Sequence, residues 1–434
     1  MPPLRKLGLL GLFVLVCSGL ALASLEIVSN GLYYLKYRKV FYTDERKPAQ
    51  AGAYTAAEAV FHPYFSFIHR VGRSGGWWTT NNLGFQVLTS HVEADPGCCD
   101  IPFARKDNEL IIGVFGGSVA SGFALAVQKS PEFASQLALV PGWAGKKIRV
   151  LNFGMPGFKQ PQQLNALAYA LTLGQHFDLV LNLDGFNEVV TSHRNWASGA
   201  EPSFPSDELW GAWGRQVERL GNPGQPDAKD RYLAAYLESA ARHWRERAER
   251  CSFATCYVLS HLVSGIARQR AHVMTQETRA IADKQSLFPT AVRPNTPAGF
   301  EVHRATTEQW AAASRAMAAL TQSSGGLYLH VLQPNQWWTK PAGEYPPIER
   351  EHIYKWVVPL IEKGYPLLAE RMTVLERSGV QVFDATAVFR GVPWRDVYVD
   401  DCCHYTDKGN ALLAMSIAQR VAKAAPAKRD PRGG

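Results

Sequence analysis

The chain has 434 residues, 46% of them hydrophobic and 19% charged, and a formal net charge of +8. That apolar content is ample for a buried core in one large or two modest domains. The basic excess is scattered, with no basic helix stripe and no interleaving of basic and aromatic residues, which excludes a nucleic-acid footprint.

Arg5 and Lys6 precede an uncharged run from Leu7 to Leu25. The run is just long enough to span a bilayer. It also ends in Ala21-Leu22-Ala23 before Ser24, a small-x-small site of the kind cut in signal peptides. Both readings export the rest of the chain, because the positive charges stay cytoplasmic. Residues 1–25 are read as a signal anchor, with a signal peptide cleaved before Ser24 as the alternative. Cys17 follows the bulky Val16, so lipidation is not expected.

Residues 26–108 are aromatic and Gly-rich, with Phe61-His62-Pro63-Tyr64 and Trp77-Trp78-Thr79-Thr80. The alternation of short apolar pieces and turn residues predicts a preamble of small strands and loops packed on the following domain. From residue 109 to 424 strands and helices alternate. Strands are expected at Leu110–Phe115, Lys147–Asn152, Leu179–Leu183, Leu327–Leu332 and Val380–Phe383. Helices are expected at Gln162–Leu173, Glu349–Arg377, with a break near Gly364, and Lys408–Ala422. Such alternation predicts an α/β domain with a parallel sheet covered on both faces. Ligands of these sheets bind beyond the C-terminal strand ends.

Residues 191–326 interrupt that pattern as a helical insertion. Leu233, Tyr236, Leu237, Ala240, Ala241 and Trp244 recur at helical spacing, as do Trp310, Ala313, Met317 and Leu320. Pro223-Gly224-Gln225-Pro226 and Asn295-Thr296-Pro297-Ala298-Gly299 read as loops. Residues 425–434 form a basic tail expected to be disordered.

Six cysteines lie beyond the leader: Cys98, Cys99, Cys251, Cys256, Cys402 and Cys403. An even number in an exported chain suggests disulfides, and the spacings are not those of a metal site. Adjacent cysteines have Cα atoms only about 3.8 Å apart, whereas a relaxed disulfide wants more than about 4.4 Å. Cys98 and Cys99 are therefore expected to pair with Cys402 and Cys403, and Cys251 with Cys256.

The chemistry sits at strand ends. A hydrophobic run stops at Gly116-Gly117-Ser118, and a late Asp401-Cys402-Cys403-His404 leads into Tyr405-Thr406-Asp407-Lys408-Gly409-Asn410. An Asp and a His three apart can share one face, so the carboxylate can hold the imidazole. The imidazole can then take the proton of a serine hydroxyl, otherwise too weak a nucleophile. Asp400, four before His404, is a rival orienting carboxylate. The turn at Ser118 is neither a Gly-x-Ser-x-Gly elbow, since Ala120 replaces the second glycine, nor a phosphate loop.

Two further strands run into Asn152-Phe153-Gly154-Met155-Pro156-Gly157 and Gly185-Phe186-Asn187-Glu188. With these four ordered blocks the chain resembles the SGNH hydrolases (the GDSL esterase superfamily) over about residues 109–424. The resemblance implies a flavodoxin-like, five-stranded parallel sheet with helices on both faces. It implies Ser118 as nucleophile, His404 as base and Asp401 as its orienting carboxylate. Ser118, Gly154 and Asn187 would form the oxyanion hole. Glycine allows the chain to approach closely, and an asparagine amide can donate to the oxyanion. Two departures stand out: Gly117 replaces the acidic residue of the family's Gly-Asp-Ser, and the segment after Asn187 is far longer than a minimal core needs.

The expected activity is that of an extracytoplasmic serine esterase on O-acyl esters, O-acetyl and carbohydrate esters included. Anchored members of the family have a similar layout, which places the domain on the periplasmic side of an inner membrane. The alternatives are an O-acyltransferase for a cell-envelope polysaccharide and a non-catalytic binding module on the same fold. No metal or organic cofactor is implied; the partners implied are a small-molecule or glycan ester substrate and, through the N-terminal segment, the membrane, with no nucleic acid, and the sequence says nothing of protein partners. Trp337, Trp338 and Trp394 could line a sugar-stacking cleft, but are expected to cover the core or face the membrane interface.

Overall fold

A computed structural model describes residues 3–44, 59–198, 200–206, 228–282, 301–340 and 356–424. The tail 425–434 and the two loops expected at 223–226 and 295–299 lie outside the described residues. The chain divides into two compact units. Met1–Ala53 and Glu218–Leu287 make one, and Tyr54–Val217 and Phe288–Gly434 make the other.

In chain order the elements are α1 (Pro3–Tyr37), β1 (Ala59–His62), β2 (Ser66–His69), β3 (Trp78–Thr80), β4 (Gln86–Leu88), β5 (Glu109–Gly116) and α2 (Ser118–Val127). They continue with β6 (Lys147–Gly154), α3 (Gln162–Thr172), β7 (Leu179–Asp184), α4 (Phe186–Ala197), α5 (Ala228–Glu249) and α6 (Ala254–Ala282). The last are α7 (Val302–Ser323), β8 (Leu327–Leu332), α8 (Val357–Arg377), β9 (Val382–Asp384) and α9 (Asp407–Ala424).

The larger unit holds a five-stranded sheet in the order β6-β5-β7-β8-β9, parallel throughout. This is the flavodoxin-like arrangement expected from the alternating pattern, and the order reverses at β5. Every residue of β5 and β7 is buried, as a strand covered on both faces requires. Helices α2 and α9 pack on one face, and α3, α4, α7 and α8 on the other. Phe115 and Phe153 stack across β5 and β6 at 4.5 Å.

Pairing carries β5 and β6 on to the aligned Gly116 and Gly154, a residue or two beyond the apolar runs. The expected break near Gly364 does not occur, and α8 is continuous with Pro366 inside it. A Cβ on Gly364 would lie 2.5 Å from Val189 Cγ1. That glycine lets α8 approach α4, and it does not end the helix. Two antiparallel hairpins, β1–β2 and β3–β4, form the strand part of the preamble. Gln162 Nε2 donates to Phe65 O at 2.8 Å, and Ser121 Oγ to Gln86 Oε1 at 2.9 Å.

A buried polar chain runs beneath the sheet's C-terminal edge. Ser314 Oγ and His330 Nδ1 are 2.7 Å apart, and His330 Nε2 and Asp184 Oδ1 2.8 Å. Trp310 Nε1 also donates to Asp184 Oδ1 at 2.7 Å.

The smaller unit is helical. α1 continues well past Leu25, so residues 26–37 are helix where strands and loops were expected. The reason is a tertiary one: Tyr33 and Tyr37 pack with Phe41, Ala254 and Tyr257. Helices α5 and α6 form a hairpin whose turn is closed by the expected Cys251–Cys256 disulfide.

Removing one partner of a buried hydrogen bond leaves the other unsatisfied. His330→Ala should therefore lower unfolding free energy by about 1–3 kcal/mol in denaturant titration. The surface change Trp338→Ala should cost under about 1 kcal/mol.

Candidate active site

The C-terminal ends of β5, β6 and β7 meet at one point. Gly116 has φ +148, and a Cβ there would lie 2.1 Å from Leu183 O. The chain can therefore turn at once into α2, whose first residue is Ser118. The first N–H groups of a helix have no intrahelical acceptor, and the dipole there favours negative charge. Ser118 thus presents both a hydroxyl and a backbone donor at the same spot.

His404 reaches Ser118 from the other end of the chain. Its Nε2 lies 2.7 Å from Ser118 Oγ. Its Nδ1 lies 2.5 Å from Asp400 Oδ2, not from Asp401, so the structure corrects the expected pairing. The reason is turn chemistry. Asp400 Oδ1 accepts from the backbone N–H groups of Cys402, Cys403 and His404 at 3.0, 3.0 and 3.2 Å. An aspartate that binds the N–H two residues on folds the turn over itself. The carboxylate opening that turn, not the next one, ends beside the imidazole. Asp401 instead offers its backbone carbonyl to Trp337 Nε1 at 2.9 Å, and Gln336 Nε2 donates to Asp400 O at 3.1 Å. Tyr398 and Tyr405 bridge the loop's base. Trp337 therefore braces the loop, and Trp394 is buried.

Burial alone would lift the Asp400 carboxyl; its bonds to the His404 ring and to the backbone N–H groups outweigh that and hold it below the usual range. Burial likewise opposes charge on His404, but the Asp400 carboxylate prevails and raises it to about 9. Burial pushes Asp401 up to about 6, its own backbone N–H lowers it, and the Asp400 charge raises it further. The His404 and Asp400 side chains keep 37% and 36% of their surface open, which leaves Ser118 approachable.

Asn187 follows Gly185, whose φ is +135. Its Nδ2 donates to Phe158 O at 2.8 Å. An amide has two such hydrogens, and this bond uses one of them. A Cβ on Gly117 would lie 2.4 Å from Asn187 Nδ2. The departure from Gly-Asp-Ser thus has a physical meaning: here the asparagine occupies the space that a side chain would take.

Gly154 does not supply the expected oxyanion donor. Its N–H is engaged by Asn152 Oδ1 at 2.9 Å. A Cβ on Gly154 would meet Ser121 N at 2.3 Å, so its role is to let β6 close on α2. Asn152 Nδ2 in turn donates to Ser121 Oγ at 3.1 Å and Gln86 O at 3.0 Å.

Glu188 carries an unforeseen positioning role, although it stood in the Gly-x-Asn-Glu block. Its Oε2 accepts from Gly185 N at 2.9 Å. Its Oε1 accepts from Gln160 N at 3.1 Å and Gln163 Nε2 at 3.2 Å. It thereby ties the loop after β6 to the turn that presents Asn187. Burial, then the Asp184 charge, pushes its carboxyl up. Nearby, burial pushes Lys159 down to about 7, with its Nζ on Pro202 O at 2.5 Å.

The expected bridges from Cys98 and Cys99 to Cys402 and Cys403 are not formed; all four are free thiols. Cys98 O accepts from Arg149, near the start of β6, while the His404 loop lies past the strand C-terminal ends. The Cys402 and Cys403 sulfurs are 3.0 Å apart. With His404 they lie within 4.8 Å of one another. Both ring nitrogens of His404 already have Asp400 and Ser118, so the trio lacks a third ligand for a metal.

No protein-family model and no curated protein matches the chain. Solved structures similar to it include a lipase/acylhydrolase from Enterococcus faecalis, with 12% identity and TM-score 0.32, covering 74% of this chain and 100% of that one. A GDSL-like lipase from Bacteroides thetaiotaomicron has 12% identity and TM-score 0.32, covering 77% and 98%. An alpha/beta hydrolase enzyme from the metagenome of Lake Arreo has 14% identity and TM-score 0.29, covering 74% and 98%. At such values they decide nothing about substrate.

Asp400 is what raises His404, so Asp400→Asn should bring the imidazole down from about 9 toward the ordinary histidine range. Asp401→Asn should leave it near its starting value. An NMR titration of the ring protons distinguishes the two carboxylates.

Proposed function

We propose that this chain is an extracytoplasmic SGNH-type serine esterase, held at the membrane by α1, that cleaves O-acyl esters. The observation that supports it most is the unbroken relay from Asp400 through His404 to Ser118, at 2.5 and 2.7 Å. In this reading Ser118 Oγ attacks the ester carbonyl while His404 Nε2 takes its proton. Asp400 holds the imidazole in place and offsets the charge it gains. The Ser118 N–H and the second Asn187 amide hydrogen receive the developing oxyanion. His404 returns the proton to the departing alcohol, leaving the acyl group on Ser118. Water, deprotonated by His404, then releases the acid and restores the serine.

The membrane part rests on a different observation. Val16–Tyr37 is long and apolar enough to cross a bilayer, and Arg5 and Lys6 precede the apolar run.

His404 must be neutral to accept the serine proton, and its raised value of about 9 keeps it charged at neutral pH. The rate of hydrolysis of a short aryl ester should therefore climb with pH through about 9, not level off near 7. Ser118→Ala should abolish both turnover and labelling by a fluorophosphonate probe. Asn187→Ala should lose about 10²–10³ in rate with folding intact, and Gly117→Asp should also slow turnover by displacing that amide. Unchanged labelling of Ser118→Ala would discard the mechanism.

A further inference from the structure

The α5–α6 hairpin is packed inside-out for a helical pair in water. Its interior is made of small residues. Ala234, Ala241 and Ala248, seven apart, face Ser260, Ser264, Ala267 and Ala271, all buried. Ser264 Oγ even donates to Ala241 O at 2.7 Å, as close backbone approach permits. The large apolar side chains point outward. Leu259, Leu262, Val263 and Ile266 recur at i, i+3, i+4 and i+7 on α6, with Leu262 57% and Ile266 51% exposed. Phe253, in the disulfide-closed turn before α6, is 63% exposed. Small residues inside and large apolar ones outside are the distribution of helices in lipid.

The position of α6 decides what lies against that face. Glu26, the first charged residue after the apolar run of α1, accepts from Ala254 N and Thr255 N at 2.5 and 3.0 Å. It thus caps the N-terminus of α6. If Leu7–Leu25 fills the bilayer core of about 30 Å, Glu26 lies at the headgroups. If Val16–Tyr37 does, Glu26 lies deeper. In either register the start of α6 is within reach of lipid. Arg242, Arg245, Arg247 and Arg250 occupy the last turns of α5 and the turn beyond it, with Arg268 and Arg270 further along α6. These cations outnumber the neighbouring Glu246 and Glu249 and suit anionic headgroups.

We propose that the hairpin is a monotopic membrane element: the apolar face of α6 lies in the bilayer interface beside α1, with the arginines of α5 at the phosphates. An amphipathic helix seats in this way, apolar side in the acyl boundary and basic side out. This rests on the reading of α1 as an anchor.

The test uses the full chain in vesicles of phosphatidylethanolamine and phosphatidylglycerol. A photo-crosslinking benzoylphenylalanine replaces, in separate variants, Phe13, Leu262 and Ile266. Lipid adducts at all three positions are expected. Lipid at Phe13 but not at Leu262 or Ile266 overturns the hairpin proposal and leaves the anchor standing. A protein–protein adduct at Ile266 does the same and assigns the face to a second copy. No lipid at Phe13 rejects the anchor and this proposal with it.

Discussion

No side chain fits at three glycines where β5 and β6 end. A Cβ on Gly116 would strike Leu183 O, one on Gly154 would strike Ser121 N, and one on Gly117 would strike Asn187 Nδ2. These contacts are too close for any ordinary Cβ, and two of the three are with backbone that cannot swing aside. The site depends on this crowding. It brings the first turn of α2 down on the sheet edge and leaves the Asn187 amide lying over Gly117. The hydroxyl and amide groups are held by packing of the backbone, not by their own flexible side chains.

Below that edge the protein spends polar groups where an apolar core would be expected. Asp184, His330, Ser314, Tyr328 and Trp310 are linked by hydrogen bonds in a fully buried row. Asp184 immediately precedes Gly185, and Glu188 grips that glycine from the other side. The Asn187 turn is thereby clamped front and back by carboxylates whose hydrogen bonds have specific directions. A hydrophobic contact would tolerate small displacements that such bonds resist. Their burial is costly unless every bond is made, so the arrangement favours one turn geometry over its neighbours.

The sheet was legible because β5, β7 and β8 are mainly apolar and β6 becomes so from Val150 on, each stopped by glycine or a polar residue, with helical periodicity between them. The structure brings Ser118, Asn187 and His404 to one place because their blocks lie at strand ends or just before the last helix. Asp400 and Asp401 could not be separated by spacing, since offsets of three and four both suit a shared face. What separates them is three backbone N–H groups converging on one carboxylate oxygen, a property of the folded turn. Gly154 misled for a related reason: a glycine that donates and a glycine that merely makes room look identical in sequence. The helical stretch 26–37 was missed because its partners, Ala254 and Tyr257, lie far along the chain.

That last separation has a consequence for how the molecule is made. The bond from Ala254 to Glu26 spans 228 residues, and the smaller unit is assembled from two stretches with part of the larger one between them. A chain threaded across a membrane from its N-terminus delivers α1 first, then β5, β6 and β7, and only afterwards the helices that complete the first unit. Strands β8 and β9 and the His404 loop arrive last. Neither unit can close before the other has begun, so the two grow in an interleaved order. The half-sheet must wait with its β7 edge unpaired, a state in which exposed strand edges invite wrong partners. With α1 as the proposed anchor, the emerging chain would stay at the bilayer, and tethering would limit the encounters that an unpaired edge can make.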